Sequence, residues 1–107
     1  MMTNIARIAL FSSANGETKN IAVTATSQRV DLSRVSTNIA GSMLVTVVGT
    51  DPVFVRLGDN AVTATTTDRP YLGNSQQVIN LPAGVSHAAA ISTGTGSTVY
   101  FTPGNGA

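Results

Sequence analysis

The chain has 107 residues, of which 42% are hydrophobic and 10% are charged, with a formal net charge of +1 and no cysteine. This length predicts one domain with a single core, and the hydrophobic fraction argues against intrinsic disorder. The few scattered basic residues argue against nucleic acid as a partner. The lack of cysteine excludes disulfides and cysteine ligands for structural zinc, and we predict no metal or other cofactor.

The N-terminal sequence MMTNIARIALFSS lacks the pattern of a signal peptide, because its apolar run is short and is interrupted by Arg7. No part of the sequence approaches the roughly 20 consecutive apolar residues that span a bilayer. We therefore expect synthesis in a cytoplasm and no membrane partner, unless another system exports the chain. Residues 1–107 are assigned to a single domain, with residues 1–4 as a candidate flexible or interacting arm.

Composition favours strands over helices. Lys and Glu occur once each, whereas Thr occurs 15 times. Thr and Val suit strands, while surface helices depend on Glu, Lys, Gln and Leu. Residues 5–11 form the first candidate strand. The Asn15-Gly16 pair favours a type I′ turn, which predicts a hairpin between residues 10–14 and 17–23.

A second candidate strand covers residues 21–26 and extends towards Leu32. The stretch DLSRVSTNIAG, which begins at Asp31, predicts either a helical turn or an irregular loop. A helical turn would be capped by Ser33 or Asp31 and would end at Gly41. The sequence alone leaves both alternatives open.

The strand signals are clearest from residue 43 onwards. MLVTVVG predicts a short buried strand, and the Asp-Pro pair that follows predicts a turn. In VFVRLG the three aliphatic residues share one face, whereas Phe54 and Arg56 lie on the other. AVTATTT alternates Val62 and Ala64 against threonines, which predicts a further strand.

The sequence from residue 68 onwards predicts a loop and three more strands. DRPYLGNS is interpreted as the loop and QQVINL as a strand that ends at PAG, with Pro82 in the second and Gly84 in the fourth position of a turn. SHAAAIS and STVYFTPG are interpreted as two strands joined by a tight connection at GTG. Seven to eight short strands with turns roughly every 8–12 residues predict an all-β fold, a small antiparallel β-sandwich or a barrel.

Candidate catalytic and metal-binding residues are few. His87 is the only histidine and follows Ser86, but adjacent residues on a strand point to opposite faces, and the GxSxG nucleophile motif is missing. Asp51, Asp59 and Asp68 fall at turns, where Asp commonly bonds to the backbone, and they lack the spacing of a calcium loop. We predict no catalytic residue, no metal ligand and no enzymatic activity.

Residues 70–107 contain no Asp, Glu, Lys or Arg, although a typical soluble domain is about 25% charged. Their segment HAAAISTGTGSTVYF is neutral and β-prone, and on an exposed sheet edge it would favour aggregation. We therefore predict that identical or different subunits cover this region and that the protein is a homo-oligomer. The alternative is a monomer that Thr, Ser, Asn and Gln side chains keep soluble.

Two stretches, VFVRLGDNAVTATTTDRP and INLPAGVSHAAAISTGTGSTVYFTPG, resemble small structural proteins encoded in tailed-bacteriophage genomes. In these proteins a strand ending in Val-Arg-x-Gly is followed by a Thr-rich strand, a Leu-Pro-x-Gly turn and a closing strand ending in Thr-Pro-Gly. The resemblance covers about half the chain. It implies a jelly-roll-like β-sandwich located in the virion, as in decoration (cement) proteins of the head and in small adaptors elsewhere in the particle.

The resulting hypothesis is a non-enzymatic head decoration protein, assembled in the bacterial cytoplasm, that stabilises the capsid by contacts with the major capsid protein or other virion subunits. The alternatives are a tail, neck or baseplate adaptor and a receptor- or glycan-binding module. Candidate contact residues are Phe54, Arg56, Arg69, Tyr71 and Tyr100. Because Tyr100 and Phe101 are neighbours on one predicted strand, one ring is expected to point inward and the other outward.

Overall fold

The computed structural model describes residues 12–13, 18–34, 38 and 40–105. These residues form nine β-strands and no helix. The strands are β1 (Ser12–Ser13), β2 (Lys19–Ala22), β3 (Gln28–Asp31), β4 (Gly41–Val48), β5 (Val53–Gly58), β6 (Arg69–Tyr71), β7 (Ser75–Leu81), β8 (His87–Ser92) and β9 (Thr98–Asn105). Within these ranges no helix is long and apolar enough to cross a membrane.

The strands form two antiparallel sheets that pack face to face. In the first sheet β9 lies between β4 and an edge shared by β1 and β2, and β7 lies on the far side of β4. In the second sheet the order is β3, β8, β5, β6. The predicted small antiparallel β-sandwich is therefore confirmed. The chain passes from one sheet to the other at nearly every connection, which is the strand arrangement of a jelly roll.

The core lies between the sheets and is built from alternate residues of the strands. Phe101 of β9 is its largest fully buried side chain, and Met43, Val45 and Val47 of β4 belong to the same cluster. MLVTVVG thus forms the buried strand predicted for it. In β5 the aliphatic side chains likewise face this core, whereas Arg56 is exposed on the other face, as the alternation of VFVRLG predicted.

The predicted N-terminal hairpin is wrong for the described residues. β1 and β2 do not pair with each other, because both run antiparallel to β9. β1 lies opposite the C-terminal end of β9 and β2 opposite its N-terminal half, so the two segments follow one another along the same edge. Residues 5–11 and the Asn15-Gly16 pair lie outside the described residues.

The candidate strand that begins at Ile21 is divided between the two sheets. β2 ends in the first sheet, and β3 begins at Gln28 in the second. In the bend between them the Thr24 hydroxyl accepts a hydrogen bond from the Thr26 N–H at 3.1 Å. The interpretation as one strand extended to residue 32 is wrong, because this bend transfers the chain to the opposite layer.

The stretch that begins at Asp31 contains no helical turn among its described residues. The Asp31 carboxylate instead accepts a hydrogen bond from the Ser33 N–H over 2.8 Å, as in an Asx turn. Ser33 also has a positive φ of 54°, which a helix does not contain. Of the two alternatives, the irregular loop therefore holds for these residues, and residues 35–37 and 39 lie outside the described part.

A loop joins β5 to β6 where AVTATTT predicted a strand. Val62 and Ala64 are nevertheless 9% and 2% exposed, because they pack against Ala89 on the outer side of the second sheet. The alternation was therefore correct, but it belongs to a loop that folds over a sheet instead of pairing within it. Conversely, DRPYLGNS was interpreted as a loop and contains β6, which pairs with β5.

The turn after β7 differs by one position from the predicted one. The Val85 N–H lies 3.4 Å from the Pro82 carbonyl oxygen, so Pro82 is the first residue of the turn and Gly84 the third. Gly84 has a φ of 88°, which suits the third position of a type II turn. Arg34 donates from Nη1 to the carbonyl oxygens of Pro82 (3.0 Å) and Val85 (2.6 Å) and holds the turn in place.

Candidate interaction surface

The uncharged C-terminal region contains the two central strands of the sandwich. β8 lies between β3 and β5, and β9 lies between β4 and the edge formed by β1 and β2. Ala88, Ala89 and Ala90 are fully buried, so another chain cannot approach their backbone. The idea that HAAAISTGTGSTVYF forms an exposed edge is therefore wrong. Burial accounts for the lack of charge at part of this segment, since Ala88, Ala89, Ala90, Val99 and Phe101 are all buried.

A surface without charge is present elsewhere, on the outer face of the first sheet. It consists of the side chains of β2, β4, β7 and β9 that point away from the core, and we call it the neutral face. Its exposed and half-exposed members are Asn20, Ala22, Leu44, Thr46, Val48, Gln76, Val78, Asn80, Thr98, Tyr100 and Thr102. Four neighbouring strands thus present hydroxyl, carboxamide, aliphatic and phenol groups, with no carboxylate and no cation among them.

The strand register aligns the neutral face in rows across the sheet. Tyr100 lies between Asn20 and Thr46, and Gln76 follows Thr46 in the same row. The Gln76 carboxamide donates from Nε2 to the Thr46 hydroxyl over 3.2 Å. Because such bonds are made within the sheet and carry no full charge, another protein can cover this surface without the desolvation cost that charged groups impose.

The outer face of the second sheet has a different character. Arg29 and Arg56 lie on either side of Ala89 on neighbouring strands, and the loop between β5 and β6 covers Ala89 with Val62. Arg56 donates from Nε to Asp68 Oδ1 over 2.9 Å. Since charged residues are depleted at the centres of protein–protein interfaces, the neutral face is the better candidate for contact with another protein.

The five candidate contact residues do not form one patch. Tyr100 lies in the neutral face, whereas Phe54 and Arg56 point to the opposite side of the molecule. Arg69 places its Cζ atom 5.1 Å from the centre of the Tyr71 ring. Tyr71 itself is only 4% exposed and belongs to the core, because it faces inward on β6, so its ring is not available to a partner. The contact role of the other four stays a prediction.

Sequence reasoning did not single out the residues that surround Tyr100 in the neutral face. Thr46 and Gln76 lie in the segments MLVTVVG and QQVINL, which were correctly predicted as strands, but no role was assigned to either residue. One signal was present, because the outward positions of MLVTVVG and QQVINL carry no charge. That these strands lie side by side could not be read from the sequence.

Ser86 and His87 are closer together than predicted. Ser86 Oγ lies 2.7 Å from His87 Nδ1, because Ser86 precedes β8 and does not follow its alternation. The argument that these side chains point to opposite faces is therefore wrong. Asp31 lies opposite His87 in the strand register, but its carboxylate accepts the Ser33 N–H, and none of the ion pairs between described residues joins it to His87. Among the described residues, the pair thus lacks the carboxylate that orients the histidine in a catalytic triad.

The aspartates bond to backbone groups, as predicted for turn residues. Asp59 and Asp68 each accept an N–H from a residue two or three positions away, over 2.9 and 2.7 Å. Asp51 acts over a longer distance, since its Oδ2 accepts the Gly96 N–H, 45 positions away, at 2.8 Å. This carboxylate connects the turn after β4 to the GTG connection between β8 and β9.

We expect the stability that Asp68 provides to decrease in acid. The Thr65 N–H, which donates to Oδ2 over 2.7 Å, and Arg56 hold the pKa of Asp68 below its ordinary value, although partial burial opposes them. A lowered pKa in the folded state contributes stability that is complete above about pH 4, the ordinary value, and is lost as the pH falls through the folded value. The contribution is under about 1 kcal/mol, since Arg56 is largely exposed.

Urea unfolding of the wild-type chain and Asp68→Ala between pH 7 and pH 2.5 measures this contribution. The difference in the free energy of unfolding between the two chains should be constant down to about pH 4 and should shrink below it. A difference that does not change over the whole range would contradict a lowered pKa for Asp68.

The described residues also bear on whether the protein binds a metal ion. No group of three or more His, Asp or Glu side chains comes together among them to hold a metal ion.

The chain matches no protein-family model, no curated protein and no solved structure. Within the described part of the chain, the neutral face is the feature that points most directly to a partner, and the partner it suits is another protein surface.

Proposed function

We propose that this protein is a non-enzymatic structural subunit of a bacteriophage virion, and that it stabilises the head as a decoration protein. The neutral face carries the proposal, as the surface that contacts neighbouring capsid subunits. The resemblance of residues 53–104 to small phage structural proteins supports the virion as the location. The jelly-roll order of the strands agrees with this, since viral capsid domains often use that architecture.

The chemistry of the neutral face suits a surface that is covered permanently. Leu44, Val78 and Tyr100 provide apolar area, and an aromatic ring with a hydroxyl group is a common anchor in interfaces. The threonines and carboxamides around them can exchange hydrogen bonds with water for hydrogen bonds with a partner. A charged side chain in the same place would have to be paired, because an unpaired buried charge costs several kcal/mol, on the order of 3–5.

The mechanism is linkage between binding and assembly. A protein that binds only the assembled shell stabilises it by RT ln(1 + [L]/Kd), which is about 2.7 kcal/mol per site at a hundredfold excess over Kd. Repeated over the many equivalent sites of a shell, this contribution opposes dissociation of the capsid subunits. No covalent step is required, so the function needs no catalytic residue.

Co-sedimentation tests the proposal. The purified protein is mixed with expanded empty heads, with procapsids and with tails of the phage that encodes it, and the pellets are analysed. We expect the protein to pellet with expanded heads and to remain in the supernatant with procapsids and tails. Pelleting with tails alone would replace the head role by that of an adaptor, and failure to pellet with any particle would overturn the proposal.

Thr46→Lys is expected to weaken binding to heads roughly tenfold or more, because it places a charge at the centre of the neutral face, where binding would desolvate it. The matched control is Thr63→Lys, which adds the same charge at an exposed position of the loop over the second sheet. The control should bind within roughly twofold of the wild-type chain. Both variants should melt within a few degrees of it. Equal losses of binding would contradict the neutral face as the contact surface.

A further inference from the structure

The two sheets of the described residues have four edges, and three of these are protected against pairing with another chain. β3 has only four residues and carries Arg29 and Asp31. β6 has three residues, among them Arg69 and Pro70. The edge formed by β1 and β2 consists of two short segments and carries Lys19. Short strands, charged side chains and proline are the usual features that prevent edge-to-edge pairing.

β7 has none of these features. Its sequence SQQVINL has seven residues without charge or proline, and it pairs with β4 from Ser75 to Leu81. No strand in the described part of the chain covers its other edge. As far as the described residues are concerned, the backbone N–H and C=O groups on that edge are therefore available to an additional strand. The outward positions alternate Gln76, Val78 and Asn80, which keeps the edge polar enough for water and neutral enough for pairing.

We propose that the open edge of β7 binds β7 of a second copy of this chain, in antiparallel orientation. The two first sheets then join into one continuous sheet across a two-fold axis. The axis passes beside Val78, the middle residue of β7, which lies opposite Val78 of the second copy. This register pairs every residue of the strand, with Ser75 opposite Leu81 at each end. A surface that binds its own copy around a two-fold axis must be self-complementary, and β7 satisfies this condition.

The self-complementarity is chemical as well as geometric. In this register Gln76 lies opposite Asn80, and two carboxamides at directly opposite positions can exchange hydrogen bonds between strands. Val78 already lies beside Leu44 of β4, so the pairing of Val78 with Val78 continues an aliphatic row from one copy to the other.

The lack of charge on β7 favours a second copy over an unrelated partner. A two-fold axis brings equal side chains close together, and like charges directly opposite each other on paired strands are destabilising. An edge that recognises a different protein can use charge, because the partner can supply the opposite sign. In this register only Val78 lies opposite its own equivalent, so self-pairing requires an uncharged residue there, and the other pairs bring no charge into the contact. The dimer leaves the neutral face of both copies exposed, so this inference does not depend on the proposed function.

A single engineered cysteine tests the register, because the chain contains no cysteine. Val78→Cys places one thiol per chain at the axis. Opposite Cα atoms of an antiparallel pair are about 4.5–5.5 Å apart, which lies within the roughly 4.4–6.8 Å that a disulfide spans. We expect a mild oxidant to convert Val78→Cys into covalent dimers on a non-reducing gel. The control Gln76→Cys lies on the same strand and face, but its thiols are about 13 Å apart, and it should remain uncross-linked.

Introducing a charge of either sign at position 78 tests the same contact in solution. The wild-type chain should sediment at twice its mass of 10.9 kDa. Val78→Lys and Val78→Glu should each sediment as monomers, because each opposes like charges across the axis. An equimolar mixture of the two should restore the dimer. Thr102→Lys adds the same charge two strands away from β7 in the same row and should remain dimeric.

The outcomes separate this inference from the virion proposal. A monomeric or trimeric wild-type chain, no cross-link from Val78→Cys, equal cross-linking of both cysteine variants, or a mixture that stays monomeric would each overturn the β7 dimer. A dimer that pellets with no phage particle would leave the β7 dimer standing and remove the virion proposal. A monomer that pellets with heads would overturn the β7 dimer and leave the virion proposal standing.

Discussion

Phe101→Ala is expected to lower the free energy of unfolding by about 3–5 kcal/mol, which is typical of large-to-small substitutions at buried aromatic positions. Phe101 is completely buried at the centre of β9, the strand that pairs with β1, β2 and β4. Alanine removes the ring from the core and leaves a cavity that these neighbours cannot close without losing their register. Urea unfolding at one fixed protein concentration measures the effect, since association would make stability depend on concentration.

Tyr100→Ala is the matched control, because it removes a ring of similar size from the next residue of the same strand. Tyr100 lies on the neutral face and is partly exposed, so its loss opens no cavity. We expect a decrease of about 1 kcal/mol or less. If the two substitutions cost the same, Phe101 would not be the centre of the core.

Gly49→Ala is expected to destabilise the fold by about 3–5 kcal/mol, as the sum of a disfavoured backbone conformation and a steric clash. Gly49 has a φ of 122° in the turn between β4 and β5, a region that residues with a side chain rarely adopt. A Cβ atom there would also collide with the carbonyl oxygen of Gly96 and lie 2.7 Å from Ser97 Cα. These are backbone atoms, so the clash cannot be relieved by rotating a side chain.

Gly84→Ala separates the two contributions. Gly84 has a positive φ of 88°, but a Cβ atom there would meet nothing within 4 Å. This substitution should therefore cost only the backbone preference, about 1–2 kcal/mol. The measurement is the same urea unfolding. Equal effects at the two glycines would mean that the connections at Gly49 and Gly96 move apart more easily than their contacts indicate.

Much of the β-structure could be predicted because successive side chains of a strand point to opposite faces of the sheet. Apolar residues at every second position therefore indicate a strand with one buried side. MLVTVVG and VFVRLG were both predicted as strands, and the aliphatic side described for VFVRLG faces the core. The same signal misled at AVTATTT, where Val62 and Ala64 are buried under a loop. Alternation reports which side chains avoid water, and it does not distinguish a strand paired in a sheet from an extended loop packed on one.

The candidate surface was less predictable. Tyr100 was named as a candidate contact residue, but the row that joins it to Thr46 and Gln76 depends on β9, β4 and β7 being neighbours. These strands are separated along the chain by long intervals in which the other sheet is built. The lack of charge in residues 70–107 is explained by burial for part of β8 and β9, whereas the cover by other subunits predicted for this region stays a prediction.

From its own residues the chain specified an all-β domain without disulfides, the alternation of side chains in VFVRLG, and several of its turns. These properties follow from interactions between residues close in sequence and from the general preference of apolar groups to leave water. Only the tertiary structure decided which strands are central and which lie at edges, because pairing joins residues far apart in the chain. It thereby buried Ala88, Ala89 and Ala90 of β8 and placed exposed uncharged residues on the neutral face and at the open edge of β7.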